Sequence, residues 1–241
     1  MGEQSLYQEL APYYDRVYHW KEYDDDVERL LVMIHSGRSS SGNHLLDVGC
    51  GTGAHIARLV NDFDCTGIDN NEGMLKVARE KVPKASFVQA DMLEFDLERR
   101  FDIVISMFGT IGYATSLGDL QRVMDNIASH LEEGGVAVLE PFISKDDYIP
   151  GHVAMTTYED DDVKISRVST STQNGHLCTF EMHYLIGEKG KGVRYILDTH
   201  TLRLYTPEEL IAALETTGLS AEYDPVGFGQ ARGALIATKR T

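Results

Sequence analysis

Between residues 24 and 142 the spacing of apolar positions alternates between two patterns. In DDDVERLLVMIH, Val27, Leu30, Leu31 and Ile34 recur at helical spacing. LLDVG, at 45–49, is instead a short continuous apolar run of the kind a buried strand carries. Upstream, LYQELAPYYDRVYHW is helix-like, and Ser36–Asn43, rich in Ser and Gly, is a loop. After LLDVG come a glycine turn, a helix from about Ala54 to Asn61, a strand in CTGIDN, a helix in NEGMLKVAREKV and a strand in ASFVQAD. FDIVISMFG is the next strand, LGDLQRVMDNIASHL a helix ended by Glu-Glu-Gly-Gly, and GVAVLEPF a fifth strand. Strands joined through helices of this length pair in parallel, so the pattern predicts an α/β sheet with crossover helices.

From about Lys145 the pattern changes. HVAMTTYE, VKISRVSTST, LCTFEMHYLIGE and VRYILDTHTLRLY are rich in β-branched and aromatic residues, with turn chemistry between them, and predict an antiparallel meander. TPEELIAALETTG predicts a helix with Thr206 as N-cap, Pro207 at the first position and Gly218 past the end. SAEYDPVGFG and RGALIATKR read as closing strands. The expected division is a helical cap over 1–42, a core over 43–144 and 196–241, and an antiparallel insert over 145–195.

Composition narrows what such a domain binds. The net charge of −16, from 22 basic and 38 acidic residues, argues against nucleic acid, whose phosphates need a basic surface. No stretch approaches the roughly 18 apolar residues of a membrane span. The N-terminus lacks the basic start and apolar run of a secretion signal, so a cytoplasmic location is expected. Cys50, Cys65 and Cys178 form no CxxC pair and read as reduced thiols, and the histidines form no metal-ligating pair, so no metal is expected.

The chemistry concentrates at LLDVGCGTG. Gly49-Cys50-Gly51-Thr52-Gly53-Ala54 fits the dinucleotide-binding turn, which keeps an oxidoreductase among the readings. Three consecutive strands, however, deliver carboxylates to one sheet edge: Asp47 at the turn, Asp69 after the second strand and Asp91 after the third. Asp69 suits the two hydroxyls of a ribose, and Asp91 an adenine amino group. Asp47 places negative charge where a dehydrogenase holds pyrophosphate; it suits a ligand with an amino group there. S-adenosylmethionine has that distribution of charge.

With LLDVGCGTG, TGIDNNEGML, QADM, FDIVISMF and LEEGGVAVLEPF, the chain resembles the class I S-adenosylmethionine-dependent methyltransferases. The resemblance implies a Rossmann-like sheet with helices on both faces. It further implies that Gly49, Gly51 and Gly53 leave room for the methionine part, that Asp69 with Asn70 holds the ribose, that Asp91 and the Met92 amide face the adenine, and that Met107 lies along the methionine chain. Outside the core, Tyr14-Asp15-Arg16-Val17-Tyr18, SMFGTIGY, VLEPF, ISRVSTS and ARGALI look like the N,N-dimethyltransferases of dTDP-linked aminodeoxysugars. That likeness implies Tyr14 and Tyr18 near the acceptor, with Arg167, Ser169 and Arg232 near its nucleotide. The chain departs from the family pattern at Phe142-Ile143, where two tryptophans or Trp-Phe are usual, and in a shorter His19-Trp20-Lys21-Glu22 loop. Phe142 is retained as an acceptor contact, and Lys21 and Tyr23 as partners of the cofactor's amino-acid end.

For such a reaction the protein must align a neutral amine with the methyl carbon, and the amine must first lose a proton. Tyr18 and Tyr113 are candidate orienting groups and Glu140 a candidate proton acceptor. His55 reads as a packing residue, and His176 and His183 read as exposed strand residues, with contact to an acceptor as the alternative. Asp102 reads as structural and Asp24–Asp26 as a helix start. Other readings of the same turn are methylation of oxygen or of another small amine, an NAD(P)-dependent oxidoreductase, and a non-catalytic cofactor-binding regulator. The resemblance also implies a homodimer, for which an antiparallel insert offers edge strands for pairing.

Overall fold

The computed structural model describes residues 5–7, 9–229 and 232–240; Gln230 and Ala231, which precede the late arginine, lie outside them. Two 3₁₀ turns, Ser5–Tyr7 and Ala11–Tyr13, lead into α1 (Tyr14–Val17) and α2 (Tyr23–Gly37). The helix-like pattern before residue 20 is thus broken into short turns. Pro12 supplies no N–H and restricts Ala11, which stops a continuous helix.

The core runs β1 (His44–Val48), α3 (Ile56–Leu59), β2 (Asp64–Asp69), α4 (Glu72–Lys81), β3 (Ser86–Gln89), β4 (Phe101–Ser106), α5 (Leu117–Ser129) and β5 (Leu131–Leu139). The antiparallel part holds β6 (Ala154–Glu159), β7 (Val163–Asn174), β8 (Leu177–Glu188) and β9 (Gly192–Arg203). The chain closes with α6 (Pro207–Glu215), β10 (Ser220–Gly229) and β11 (Arg232–Thr238). The seven-stranded sheet has the order β10-β11-β5-β4-β1-β2-β3, and β6 to β9 form a separate four-stranded sheet in sequence order. Strands β1 to β5 pair in parallel, whereas β11 runs antiparallel to β5 and β10.

Both faces of the large sheet are covered. Val27, Leu30 and Ile34 of α2 share one core with Ile56, Leu59 and Leu75. Leu120, Val123 and Ile127 of α5 and Leu210 and Leu214 of α6 fill the other. Strand order reverses between β1 and β4, and in such sheets ligands bind beyond the carboxyl ends of the strands at that reversal. A third core joins Leu6, Leu10 and Val17 to Val163, Ile165, Tyr184 and Ile186, so the N-terminal segment packs on the small sheet.

Three boundaries differ from the sequence pattern. Strand β9 extends to Arg203, past the expected insert boundary at 195, because Phe180–His200 and Cys178–Leu202 continue the pairing with β8. Strand β5 begins at Leu131, so Glu-Glu-Gly-Gly lies within it: Phe101 pairs with Leu131 and Ile103 with Val136, and the residues between bulge. The C-terminal tail pins that bulge, with Gly134 donating its amide to the Lys239 carbonyl and Lys239 donating back to Gly135. Helix α3 is shorter than expected, although the bonds from Ala57 to Gly53 and from Phe63 to Leu59 continue its coil. The start of α6 follows the sequence: Thr206 and Glu209 form a reciprocal capping box, worth about 1 kcal/mol. Asp102 accepts the amides of Gly42 and His44, each at 3.1 Å, and fixes the entry to β1.

Candidate active site

The turn after β1 can form only with glycine at its key positions. Gly49, Gly51 and Gly53 have φ of +77°, +54° and +71°, a region L-residues rarely adopt, and a Cβ on Gly49 would collide with Thr110. The turn is tied to β2: Gly51 donates its amide to Asp69 Oδ2 at 2.9 Å, and the other Asp69 oxygen accepts from Asn71 N at 2.9 Å. Burial pushes the Asp69 carboxyl up, against these two amides, which favour its charged form. Asn70 is exposed, and its neighbour Asn71 has the local role, capping α4 through Gly73 N and Met74 N.

Asp47 is 1% exposed, and neither carboxylate oxygen has a hydrogen-bond partner among the described residues. Burial pushes its pKa up to about 7; nearby His55 lowers it and Asp69 raises it. An unpartnered buried carboxyl at a glycine turn fits a cationic ligand group and opposes an anionic one. Asp91 is exposed, and its Oδ1 accepts the Leu93 amide at 2.9 Å. Met92 is half-buried against the α5 side of the core, while Met107 is buried at the end of β4.

Lys21 and Tyr23 meet a group that sequence reasoning placed elsewhere. The Lys21 ammonium is buried and bonds Asp26, the third aspartate of the expected helix start. His55 Nε2 lies 3.5 Å from the same Asp26 oxygen, and the His55 ring sits edge-on to Tyr23 at 5.1 Å. Burial raises the Asp26 carboxyl, but hydrogen bonds from His55 and Lys21 outweigh it and leave the pKa lowered. A second tie, Thr52 to Asp15 at 2.7 Å and Lys81 to Asp15 at 2.6 Å, clamps α1 over the glycine turn.

Phe108, just beyond β4, has φ of +57°, a strained value for a non-glycine residue of the kind that gathers at functional sites. Its amide donates to Glu140 Oε2 at 2.7 Å, and Arg232 Nη1 lies 2.8 Å from Glu140 Oε1. Around its ring are Lys21 Nζ at 4.4 Å, Arg232 Cζ at 5.1 Å and the Tyr18 ring at 5.2 Å. Glu140 is fully buried, with its two oxygens holding Phe108 and Arg232, which makes it a positioning group and not a free proton acceptor. Phe108 had no distinguishing signal in the sequence, because strain is a property of the folded backbone.

Of the residues expected near the acceptor, Tyr14 and Tyr18 lie 4.7 Å apart by ring centroids, and the Arg167 guanidinium lies 5.0 Å over Tyr18. Arg167 is buried on β7 and donates to Thr156 Oγ1 at 3.0 Å; Ser169, two positions along, is half-buried. Burial lowers the Arg167 pKa, but Tyr18 and Tyr184 outweigh it and hold it raised. Phe142 is half-buried, its ring edge-on to Phe180 at 5.5 Å. Tyr113 lies in a 3₁₀ turn, Thr110–Tyr113, with its hydroxyl 2.5 Å from that of Tyr7. Burial pushes Tyr7, Tyr14 and Tyr113 well above the usual phenol value, and the Asp69 carboxylate adds to the first two. His183 is bonded to Tyr195 on the outer face of the small sheet, and His176 lies in the turn before β8, so neither joins this group. The histidine that does is His200, which sequence pattern alone did not single out.

The sequence matches a methyltransferase-domain family model over residues 45–135. It is 35% identical over 216 residues, 88% of this chain and 91% of the relative, to a dTDP-3-amino-3,4,6-trideoxy-α-D-glucopyranose N,N-dimethyltransferase of Streptomyces venezuelae. It is 34% identical over 232 residues, 94% of this chain and 90% of the relative, to a dTDP-3-amino-3,6-dideoxy-α-D-glucopyranose N,N-dimethyltransferase of Streptomyces fradiae. The fold superposes on the crystal structure of Streptomyces venezuelae DesVI with a TM-score of 0.89 at 34% identity, covering 95% of this chain and 98% of that one. It superposes on S-adenosylmethionine-bound CalS10, an amino pentose methyltransferase from Micromonospora echinaspora, with a TM-score of 0.83 at 30% identity, covering 96% and 97%. With a glycine turn suited to a cationic ligand and similarity along nearly its whole length, the chain belongs to the class I S-adenosylmethionine-dependent methyltransferases, in the group of the dTDP-aminosugar N,N-dimethyltransferases.

Proposed function

We propose that this enzyme methylates the amino group of a nucleotide-linked aminodeoxysugar. The observation that carries the reading is the buried Arg167 stacked on Tyr18, beside Tyr14 and opposite Phe108, where the N-terminal segment meets the small sheet. A local guanidinium in an acidic protein suits a diphosphate, and the aromatic rings suit a sugar or base. Similarity to a Saccharopolyspora spinosa relative named for a dTDP-4-amino sugar, alongside the two named for 3-amino sugars, leaves the ring position of the amine open to test.

In this reading Asp69 accepts from the ribose hydroxyls of S-adenosylmethionine, Asp91 and Met92 face its adenine, and Gly49, Gly51 and Gly53 give its methionine part room. Asp47 meets the ammonium group, and Met107 lies alongside the chain. When bound, the cofactor would supply a sulfonium-linked methyl group to the acceptor nitrogen, with sulfur as the leaving group. Tyr18 and Tyr113 orient the amine, while Lys21, Tyr23 and Glu140 act through Asp26, His55, Phe108 and Arg232, holding the wall of the site. The test is incubation with S-adenosylmethionine and a panel of 3-amino and 4-amino dTDP sugars, read by mass. Additions of one or two methyl units are expected; product with a phenol or a free amino acid, and with none of the sugars, would sink the reading.

The proposal extends to a cytoplasmic homodimer. Its support is three buried free cysteines and the solvent face of the small sheet, where Met155, Val168, Leu185, Val193, Tyr195 and Leu197 project on one side. Leu185 and Tyr195, paired in register, are each more than half exposed, and a second copy would cover them. Light scattering is expected to give twice the chain mass, and Leu185→Asp the single chain mass; a monomeric wild type would refute the dimer.

A further inference from the structure

Behind Tyr113 a hydrogen-bonded chain runs from the aromatic group into the protein. Tyr7 Oη and Tyr113 Oη are 2.5 Å apart, Tyr113 Oη lies 2.8 Å from His200 Nδ1, and His200 Nε2 lies 2.6 Å from Asp198 Oδ2. These side chains come from the first turn, the turn after β4 and two alternate positions of β9, which share one face of the strand. His200 and Asp198 are each 1% exposed, whereas Tyr7 and Tyr113 are half-buried, so the chain reaches outward only through its tyrosines. The turn that bears Tyr113 also bears Thr110, which abuts Gly49 of the cofactor turn.

We infer that Tyr113, His200 and Asp198 form a relay that removes the proton from the acceptor's ammonium group before methyl transfer. The inference rests on the acceptor assignment above. Its direction follows from the donors and acceptors. A carboxylate oxygen only accepts, so the proton between Asp198 and His200 sits on Nε2, which leaves the Nδ1 lone pair facing Tyr113. Tyr113 therefore donates to His200, and its oxygen accepts from Tyr7. A carboxylate that fixes the tautomer of a histidine, which in turn receives a hydroxyl proton, is the logic of the hydrolase triads.

The step balances within this chain. The ammonium N–H bond breaks and its electron pair stays on nitrogen. The proton joins the Tyr113 oxygen as the phenol's own proton passes to His200 Nδ1. The imidazolium then lies against the Asp198 carboxylate, which stabilises it. Burial holds the Tyr113 phenol well above its usual pKa, so the hydroxyl passes a proton through without resting as phenolate. Among the described residues, the groups facing the pair include Tyr7 and Tyr113, the Leu6 amide at 3.0 Å from Asp198, and Tyr184 on β8 with Arg167 behind it.

Two variants test the relay: His200→Asn, and Tyr113→Phe, which removes a single oxygen. On enzyme saturated with S-adenosylhomocysteine, the affinity of His200→Asn for the aminosugar nucleotide is expected to stay within about twofold. At neutral pH kcat is expected to fall about 10- to 100-fold, the range of general acid–base assistance. The deficit is expected to shrink as the pH approaches the amine's own pKa, where solvent supplies free base, so the acid limb of the rate profile moves to higher pH. A wild-type profile in both variants would overturn the relay. So would an equal loss at every pH with a lowered melting temperature, which marks a structural role. If His200→Asn fails to fold, the Tyr113→Phe profile decides alone. No turnover of any aminosugar nucleotide by the wild type would overturn the acceptor assignment and the relay with it, whereas turnover with unchanged variant profiles removes only the relay.

Discussion

Asp69→Ala is expected to weaken S-adenosylhomocysteine binding at least 100-fold, measured by isothermal titration calorimetry. Two effects add. The carboxylate is the local partner of the Gly51 and Asn71 amides, each at 2.9 Å, so its loss frees the glycine turn from the end of β2. In the proposed reading it also removes the acceptor for two ribose hydroxyls. Hydrogen bonds to a charged group contribute about 1.5–3 kcal/mol each, and 100-fold is about 2.7 kcal/mol, so even partial loss of the set reaches this figure. Asp69→Asn keeps one carbonyl acceptor and is expected to fall between. An affinity within threefold of wild type in Asp69→Ala would remove Asp69 from the cofactor site.

Asp47→Asn is expected to move stability and binding in opposite directions. Burial raises the folded-state pKa to about 7 from the ordinary value of 3.8, so between these values the native state holds more protons than the unfolded chain. The stability of the ligand-free enzyme therefore falls as pH rises from about 4 to about 7, and the cost is complete above that. Its full size is on the order of 4 kcal/mol. An asparagine carries no charge to desolvate. The variant is expected to melt several degrees above wild type at pH 8, with the gap closing toward pH 4. Its affinity for S-adenosylhomocysteine is expected to drop about tenfold or more. In wild type that affinity strengthens from pH 6 to pH 8 as the carboxylate ionises to meet the ammonium, and in the variant this slope is absent. A less stable variant at pH 8 with normal binding would show that Asp47 faces no cation.

The order of strands and helices from α2 to β5, and the start of α6, were legible because each element shows its period locally: a buried run for β1, helical spacing in α2 and α5, and cap chemistry at Thr206 and Gly218. The glycine turn was legible for the same reason. Gly49, Gly51, Gly53 and Asp69 sit at fixed offsets, set by one strand–turn–helix unit and the strand after it. Boundaries that depend on partners were not. Nothing within Glu132–Gly135 reports that Lys239 pins it into β5.

The rest of the site depends on distant residues that meet only in the folded chain. Lys21 read as a partner of the cofactor's amino-acid end, Asp26 as part of a helix start and His55 as a packing residue, and together they form one buried cluster. Glu140 read as a possible base until Phe108 and Arg232 came to its two oxygens. Asp198 and His200 are two letters of a strand pattern until the first turn brings Tyr7, and the turn after β4 brings Tyr113, against them. Short-range periodicity and turn stereochemistry, which act over a few residues, determined from sequence alone the sheet and its glycine turn. Only the tertiary structure decided which carboxylates are paired, which backbone is strained and where a proton can travel, because burial and long-range contact set those properties.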